Sequence, residues 1–270
     1  MAIDPGVTFS VVCPTFNSST CVLNTLESVA RQTYLPHEVI VSDDGSSDDT
    51  VVAVENFIAG HPDVKIKVIK NAHRGPGATR NAAIRAATGD WVCFLDSDDE
   101  WSVDKLQAVA SVIQESPGIN FVCHVLKHRR FDGSIGLLDY GHKRYNPAKP
   151  LPAQMYQCNL FLTSSVTCRK DMLIESGLFD ESLLSAQDYE LWLRMSARIK
   201  PAFMQQTLGS YYDRKGSITM TDPWQWWKNS MRIAHRYRDT TTLIKYGIRV
   251  SELTIAYGKR WLQLKSRGWG

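Results

Sequence analysis

Four carboxylates stand within five residues in the segment Asp96-Ser97-Asp98-Asp99-Glu100, directly after the apolar run at residues 91–95. Because like charges this close repel one another, the segment favours a positive partner among them. One interpretation is a strand whose C-terminal end presents carboxylate oxygens to a hard divalent cation, Mg²⁺ or Mn²⁺. The alternative is an acidic turn that caps the next helix through Asp99 or Ser102. This segment alone is compatible with both.

Three further polar segments follow short apolar or β-branched runs, and these runs alternate with helix-like stretches. The strand-like runs cover residues 8–13, 38–42, 64–69 and 91–95, separated by helix-like residues 19–33, 48–60 and 77–88. Such alternation predicts right-handed βαβ units and an α/β fold with a mainly parallel sheet. Ligands of such sheets bind beyond the carboxyl ends of the strands. The segments after the strands are therefore expected to meet at one edge of the sheet, and they cover residues 14–17, 43–47, 73–81 and 96–100.

The middle of the chain has a weaker periodic pattern. Residues 102–115 are expected to form a helix that contributes packing alone. Residues 128–157 are basic, contain Gly, Pro and Tyr, and are expected to form a loop. A strand is expected within residues 159–168, and residues 186–194 begin a helix that buries Trp192.

Length and composition are ordinary for a globular protein. The chain has 270 residues, of which 43% are hydrophobic and 22% charged, and this allows one large domain or one domain with an appendage. No apolar run approaches the roughly 18 residues that span a bilayer, and no basic segment precedes the first apolar stretch as in a secretory signal. The six cysteines form no C-x-x-C pair. Free thiols and a cytoplasmic location are therefore expected.

The net charge of +3 is unevenly distributed along the chain. Residues 224–270 hold ten Lys or Arg against two acidic residues, a net charge of +8, whereas the rest of the chain carries −5. Trp and Tyr are interleaved with these basic residues. One interpretation is a pair of amphipathic helices in peripheral contact with an anionic membrane. The other is a helical extension that packs on the domain with its basic face in water. Nucleic-acid binding is not favoured because the rest of the protein is acidic.

Four motifs together resemble the family 2 inverting glycosyltransferases. They are VVCPTFN (11–17), EVIVSDDGSSDDT (38–50), GPGATRNAAIRAATGDWVCFLDSDD (75–99) and GLFDESLLSAQDYELWLRM (177–195). The resemblance covers roughly residues 7–220 and implies the GT-A fold, a nucleotide-binding αβα sandwich. It implies a glycosyltransferase domain at residues 1–220, with a donor half at about 1–100 and an acceptor half at about 101–220. Residues 221–270 then form a basic, Trp-rich helical extension.

The resemblance assigns roles to individual residues. Those of the nucleotide site would be Pro14, Thr15, Asn17, Asp43, Asp44, Arg80, Asp96 and Ser97. Among them, Asp44 matches the carboxylate that hydrogen-bonds the nucleobase, usually uracil, and Arg80 matches an arginine beside the base and diphosphate. Asp96 would contact the ribose, and Asp98 would ligate a Mn²⁺ or Mg²⁺ ion that bridges the diphosphate. Asp188 matches the catalytic base of the family.

These residue types suit sugar transfer from a nucleotide sugar, usually UDP-linked, to an acceptor hydroxyl. A divalent cation stabilises a diphosphate leaving group as a Lewis acid. A carboxylate such as Asp188 takes the proton of the hydroxyl, which typically contributes about 10²–10⁴-fold. Attack opposite the leaving group inverts the anomeric configuration. The resemblance implies surface polysaccharide or glycoconjugate assembly, and a membrane-bound tail would bring the enzyme to a lipid-linked acceptor at the inner face of the cell membrane.

The chain departs from the family pattern in two places. Gln187 precedes Asp188 where relatives often have Glu, and the late loop at residues 211–219 lacks the histidine that is frequent there. Arg214 or Lys215 could instead supply positive charge to the leaving group.

Two other function classes share part of these features. Phosphatases of the haloacid dehalogenase type also carry Asp-x-Asp after a strand. Their pattern needs Thr or Val where Glu100 stands, and it follows the first strand rather than the fourth. The non-enzymatic alternative is a degenerate family member that binds a nucleotide sugar or glycan as a scaffold, and Gln187 is the feature that favours it.

Overall fold

One nine-stranded sheet forms the centre of the protein, with helices on both faces. The computed structural model describes residues 6–214 and 222–266, with side chains described through residue 262. The strands are β1 (Phe9–Thr15), β2 (Glu38–Asp43), β3 (Ile66–Lys70), β4 (Trp91–Phe94), β5 (Glu100–Trp101), β6 (Phe121–Arg129), β7 (Ile135–Leu138), β8 (Thr167–Arg169) and β9 (Pro201–Tyr212). The helices are α1 (Val22–Ala30), α2 (Thr50–Gly60), α3 (Pro76–Ala86), α4 (Lys105–Glu115), α5 (Tyr140–Arg144), α6 (Leu151–Gln157), α7 (Lys170–Glu175), α8 (Gln187–Met195), α9 (Pro223–Arg236) and α10 (Leu243–Ser266).

The first four long strands lie side by side in the order β3-β2-β1-β4 and are all parallel. Neighbouring residues of β1 enter different cores, because side chains alternate across a strand. Val11 belongs to the cluster covered by α1, α2 and α4, and Val12 to the cluster covered by α3 and α8. Both residues are fully buried, as expected where helices cover both faces of a parallel sheet. The expected αβα layering is confirmed.

Beyond β4 the sheet becomes mixed. Strand β8 is antiparallel to β4, β6 is antiparallel to β8, and β9 returns parallel to β6. The expectation of a loop at residues 128–157 is wrong, since β7, α5 and α6 lie there. Each has only four to seven residues, too few for a periodic pattern to stand out. Within residues 159–168, a short 3₁₀ helix at Thr163–Ser165 precedes β8, so the expected strand is confirmed only at its C-terminal end.

An aromatic cluster holds α8 against the sheet. Trp192 is fully buried and lies edge-on to the rings of Phe94, Phe121 and Phe179, at centroid distances of 5.6, 5.3 and 6.0 Å. Such edge-to-face pairs add to the free energy gained by burial. The contacts join α8 to β4 and β6, and the prediction that Trp192 lies in the core is confirmed.

The C-terminal extension forms two helices, as its pattern predicts. Ile233 and Ala234 of α9 are buried, and the Tyr156 hydroxyl donates a hydrogen bond of 2.9 Å to the carbonyl oxygen of Ala234. The Arg249 guanidinium of α10 lies 5.6 Å from the ring centroid of Tyr189 in α8. One side of the extension therefore packs on the domain. Among the described residues, no helix is long and apolar enough to cross a membrane.

All six cysteines are free thiols, as the sequence predicts. Four of them are buried and two are partly exposed, the buried ones being Cys13, Cys93, Cys123 and Cys168. Burial raises the pKa of each of these four thiols, which keeps them protonated inside the core.

Candidate active site

The loops after β1 and β2 are tied together by hydrogen bonds at the carboxyl edge of the sheet. The backbone N–H of Asn17 donates to the Ser46 hydroxyl at 2.8 Å, and the Asn17 side-chain oxygen accepts from the Ser47 N–H at 2.9 Å. Asp43 accepts hydrogen bonds from the Thr15 hydroxyl at 2.9 Å and from the Ser46 N–H at 2.8 Å. Thr15, Asn17 and Asp43 therefore fix the shape of this double loop.

Asp44 is buried and lies at the N-terminus of α3. Its two carboxylate oxygens accept from the backbone N–H groups of Arg74 and Gly75, each at 2.9 Å. A negative charge is favoured there by the free N–H groups and the dipole of the helix. The His73 imidazole lies 2.9 Å from the same carboxylate and stacks on the Phe16 ring, with centroids 4.4 Å apart. Gly75 has a φ of 90°, which disfavours any residue with a Cβ.

Arg80 lies at the centre of the acidic groups. Its side chain is buried, and one guanidinium nitrogen donates to Oδ1 of Asp96 at 2.5 Å. Burial opposes a charged guanidinium, but the nearby carboxylates of Asp96, Asp188 and Asp98 outweigh it and raise the pKa of Arg80. Two further nitrogens of Arg80, Nε and one terminal nitrogen, are buried and have no hydrogen-bond partner among the described residues. The side chain thus keeps donors available within a group of carboxylates.

Two arginines, Arg80 and Arg214, supply positive charge to the acidic segment after β4. Burial, and after it the neighbouring charge of Asp96, raise the pKa of Asp98 to about 6, against the opposing effects of Arg214 and Arg80. The Arg214 guanidinium lies 3.9 Å from Asp98 Oδ2, and it also donates to the Ser18 hydroxyl at 3.2 Å and to the Asn17 carbonyl oxygen. Ser97 is buried, with its hydroxyl 2.8 Å from that of Ser18.

Asp188 occupies the first turn of α8, and its charge interacts with that of Arg80. Its Oδ2 accepts a hydrogen bond of 3.1 Å from the Thr163 hydroxyl. Burial raises the pKa of Asp188 above its ordinary value, while the Tyr189 backbone N–H, the Arg80 charge and the Thr163 hydroxyl oppose that rise. A carboxylate with a raised pKa and a fixed orientation has the properties of a general base.

The predicted meeting of the strand-end segments is therefore observed. Asn17, Asp44, Arg80, Asp98 and Asp188 lie on separate segments that converge at one edge of the sheet, and hydrogen bonds or charge interactions link each to its neighbours. Pro14 lies in β1 opposite Ser42 of β2. The alternative that Asp99 or Ser102 caps the next helix is not observed, since Asp104 is the residue before α4 and Asp99 accepts from the Tyr212 N–H at 3.3 Å.

More than half of the chain matches a described protein family. The family model Glycosyl transferase family 2 matches residues 10–170. The chain belongs to glycosyltransferase family 2. Amylovoran biosynthesis glycosyltransferase AmsB of Erwinia amylovora is 32% identical over 218 residues, which cover 76% of this chain and 70% of AmsB. Several other curated relatives are longer proteins, of which this chain spans about a third.

Solved structures place this glycosyltransferase in the GT-A fold. The crystal structure of S. aureus TarS in complex with UDP-GlcNAc superposes on this chain with a TM-score of 0.71. The two sequences are 24% identical, and the match covers 92% of this chain and 71% of TarS. Mannosyltransferase PcManGT from Pyrobaculum calidifontis, in complex with GDP-Man and Mn²⁺, has a TM-score of 0.67 and 18% identity over 98% of this chain and 77% of its own. The likeness to both structures concerns the fold, which confirms the predicted fold class.

The donor set of the acidic segment fits a divalent cation that is shared with a phosphate ligand. Mg²⁺ and similar ions usually take only one or two protein carboxylates and complete their shell with phosphate oxygens and water. The described residues hold no group of three His, Cys, Asp or Glu side chains arranged around one point. Asp98, with Asp96 beside it, supplies carboxylate oxygens of the right type, and a cation would offset the effects of burial and of the Asp96 charge that raise the pKa of Asp98.

Sequence reasoning missed three contributors to this site. Thr163 lies in a segment expected to be a strand, and nothing in its pattern indicates a contact with Asp188. Ser18 and Ser164 have no distinctive pattern either, although Ser164 accepts a hydrogen bond from the Asp96 N–H at 3.2 Å. The late-loop motif suggested Arg214 as a source of positive charge for the leaving group, and the structure places its guanidinium 3.9 Å from Asp98. Lys215, the alternative, lies outside the described residues.

Proposed function

We propose that this family 2 glycosyltransferase transfers a sugar from a UDP-linked donor to an acceptor hydroxyl with inversion at the anomeric carbon. The observation that carries the proposal is the grouping of Asp96, Asp98 and Asp188 around the guanidinium of Arg80. Asp188, a carboxylate suited to proton removal, interacts with the same arginine as the acidic segment suited to a nucleoside diphosphate. Sugar transfer needs the proton-accepting carboxylate and the groups that bind the diphosphate at one reacting centre.

The donor half of the proposal rests on the loops at the sheet edge. Residues with a proposed role in nucleotide binding are Pro14, Thr15, Asn17, Asp43, Asp44, Arg80, Asp96 and Ser97. The TarS structure contains UDP-GlcNAc and the PcManGT structure contains GDP-Man, which favours a nucleotide sugar as the donor class. The Phe16–His73 stack and the Asp44 carboxylate offer a flat surface and an acceptor, which suit a nucleobase such as uracil.

The base of the proposed reaction is Asp188. Its carboxylate accepts the proton of the acceptor hydroxyl while the hydroxyl oxygen forms a bond to the anomeric carbon. The bond from that carbon to the diphosphate oxygen breaks on the opposite face, and its electron pair leaves with the diphosphate. The configuration is therefore inverted, so an α-linked donor gives a β-linked product. Thr163 holds Oδ2 of Asp188 through its hydrogen bond of 3.1 Å, which limits the rotation of the carboxylate.

Positive charge for the departing diphosphate comes from two arginines of this chain. Arg80 keeps unpartnered buried donors, and Arg214 lies 3.9 Å from Asp98. Mn²⁺ or Mg²⁺, held by Asp98 with Asp96 nearby, would act as a Lewis acid that stabilises the same negative charge. The PcManGT structure holds Mn²⁺ together with its nucleotide sugar, which supports this choice of ion.

The acceptor is proposed to be a growing glycan or a lipid-linked sugar. The name of AmsB refers to amylovoran biosynthesis, and that of a second relative, ExoO of Rhizobium meliloti, to succinoglycan biosynthesis. Both favour a role in polysaccharide assembly. We further propose that residues 1–220 form the catalytic domain, with the donor half before about residue 100 and the acceptor half after it, and that residues 221–270 form an extension.

Thermal unfolding with a panel of UDP- and GDP-sugars, with and without Mn²⁺, tests the proposal. A donor at about 100 times its Kd stabilises the fold by roughly 2.7 kcal/mol, which raises Tm by several degrees. We expect a shift with one UDP-sugar that requires Mn²⁺ and is lost in Asp98→Ala. No shift with any nucleotide sugar, for a folded protein, would contradict the proposal. The anomeric configuration of a product, read from its proton NMR couplings, tests inversion separately.

A further inference from the structure

The long helix α10 turns an apolar stripe away from the other described elements. The stripe consists of Ile244, Ile248, Ile255 and Leu262, at spacings of four, seven and seven residues, which keep side chains on one face of a helix. Their exposed fractions are 77%, 48%, 59% and 61%. The inner face of α10 carries Leu253, which is buried. The helix therefore packs through one side and leaves an apolar side in contact with water.

No part of the described chain covers the flank of this stripe. A Cβ built on Gly247 or Gly258 would meet no atom within 4 Å. Ser251 continues the stripe between Ile248 and Ile255 and is also exposed. A row of large exposed apolar side chains is unlike the scattered single residues found on ordinary surfaces, and it indicates contact with another body.

The border of the stripe is basic. Lys245 and Lys259 are exposed along one side of it, and Glu252, on the same side, lies 3.7 Å from the Arg249 guanidinium. The negative charge of Glu252 is thus offset within the helix. Residues 224–270 as a whole carry a net charge of +8. An apolar stripe with a basic border is the pattern of a helix that lies in the interface of a membrane rich in anionic lipids.

We propose that the outer face of α10 docks on an anionic lipid surface. The helix would lie along the surface, with the four stripe residues among the acyl chains. Lys245 and Lys259 would extend their ammonium groups to the phosphates of the lipid headgroups. Docking needs neither donor nor acceptor, so it stands independently of the proposed sugar transfer.

A second copy of the chain fits this face less well than a lipid surface does. The stripe matches the a and d positions of a heptad repeat, which would allow two α10 helices to pair. The residues beside it would then be Lys245, Glu252 and Lys259 at e, and Gly247 and Thr254 at g. These g positions offer no charge to pair with the lysines, and both partners would bring a strongly basic extension. Repulsion between like charges opposes such a pair and favours an anionic partner.

Docking through α10 would keep the candidate active site near the lipid surface. The Arg260 guanidinium in the last turns of α10 lies 4.1 Å from the ring centroid of Trp226. It also interacts with Tyr211 at the end of β9, whose phenol lies near Asp99 and Asp98. The helix therefore extends to the edge of the candidate active site. An acceptor carried by a lipid would reach the enzyme at that edge.

Co-sedimentation of the full chain with vesicles tests the proposal. The vesicles contain phosphatidylcholine alone or with one third phosphatidylglycerol, at low and high salt. We expect binding to the anionic vesicles only, weakened by salt. The double substitution Ile248→Asp and Ile255→Asp should abolish it, and Lys245→Gln with Lys259→Gln should weaken it roughly thirtyfold. Val52→Asp, on an exposed position of α2, is the matched control and should bind as the wild type does.

Three outcomes would overturn the proposal. The first is a wild-type protein that does not bind anionic vesicles at low salt. The second is binding that persists in the Ile248→Asp and Ile255→Asp variant, which would assign the contact to another surface. The third is a dimer, seen by sedimentation velocity without lipid and lost in that variant, together with no vesicle binding. Circular dichroism and Tm establish that each variant is folded, which is expected because the substituted positions are exposed.

Discussion

Thr163 donates a hydrogen bond of 3.1 Å to Oδ2 of Asp188, 25 residues further along the chain. The contact joins the 3₁₀ helix before β8 to the first turn of α8, and Ala186, with a φ of 56°, forms the tight entry to that helix. A left-handed conformation at a residue with a Cβ is uncommon and is maintained only by surrounding structure. The orientation of the proposed base, Asp188, is thus fixed by the backbone at the start of α8 and by the Thr163 hydroxyl from a distant segment.

The first prediction concerns the proton acceptor. Asp188→Asn keeps the size of the side chain and removes its basicity, so we expect kcat to fall by about 10²–10⁴-fold. Donor affinity should change little, because Asp188 is not among the residues proposed to bind the nucleotide. Steady-state kinetics and donor titration by calorimetry measure the two effects. Product formation at the wild-type rate would remove Asp188 from the role of base.

The second prediction concerns pH. The Asp188 base works in its charged form, and burial raises its pKa, so the rate should decline on the acid side as Asp188 becomes protonated. The Thr163 hydroxyl favours the charged form and lowers that pKa. Thr163→Val should therefore raise the pKa and move the acid limb of the kcat/KM profile to higher pH, by about one unit. Thr163→Ser retains the hydroxyl and should leave the acid limb in place. If Thr163 had a purely structural role, the acid limb would stay in place in Thr163→Val as well.

Much of the sheet edge could be predicted from sequence because its signals are local. The proposed nucleotide-site residues other than Arg80 directly follow strand-like runs, and the carboxyl ends of parallel strands meet at one edge. Asp44 and Asp98 could be assigned to that edge without knowledge of any contact. The burial of Trp192 followed from its place in a helical apolar pattern. These features depend on spacing over fewer than about ten residues, which a sequence shows directly.

Contacts between distant segments could not be predicted in the same way. Arg214 donates to Ser18, 196 residues away, and no periodicity relates the two positions. Strand β5 has only two residues, Glu100 and Trp101, and exists because β9 pairs with it. The elements within residues 128–157 were missed for the related reason that each is short and stabilised by its neighbours. Tertiary packing rather than local propensity determines all of these features.

The third prediction concerns the link between α8 and α9. Glu190 is buried and accepts hydrogen bonds from Arg194 at 2.9 Å, Arg236 at 3.2 Å and the Tyr237 hydroxyl at 2.6 Å. Glu190→Gln removes the carboxylate that Arg194 and Arg236 share, and of the two only Arg236 keeps a second carboxylate among the described residues, that of Asp180 at 2.9 Å. We expect a loss of about 2–3 kcal/mol in the free energy of unfolding, less than for a fully buried pair because both arginines keep contact with water.

Urea unfolding measures the effect of Glu190→Gln. The matched control is Glu175→Gln, which removes the carboxylate of an exposed ion pair with Arg198. Pairs of that kind contribute little, so the control should change stability by less than about 1 kcal/mol. Equal losses for the two variants would show that the Glu190 cluster does not hold the extension on the domain.

The fourth prediction concerns acid stability. His124 is buried in β6, and burial, with the nearby charge of Lys105, lowers its pKa to about 3. In the unfolded chain its pKa is about 6.5, so below that pH the unfolded state binds the proton that the folded state excludes. Stability should therefore fall as the pH drops from 6.5 toward 3, and His124 alone should account for about 2 kcal/mol between pH 7 and pH 5.

Urea unfolding of His124→Gln at pH 7 and pH 5 isolates this contribution. Glutamine keeps an N–H that can donate to the Val125 carbonyl oxygen, to which the His124 ring nitrogen lies at 3.0 Å, and it does not titrate. The difference in stability between the two pH values should shrink by about 2 kcal/mol relative to the wild type. His37→Gln, at an exposed position, should leave that difference unchanged. If His124→Gln has the same pH dependence as the wild type, then His124 takes up its proton in the folded state, and the acid sensitivity of the fold comes from other groups.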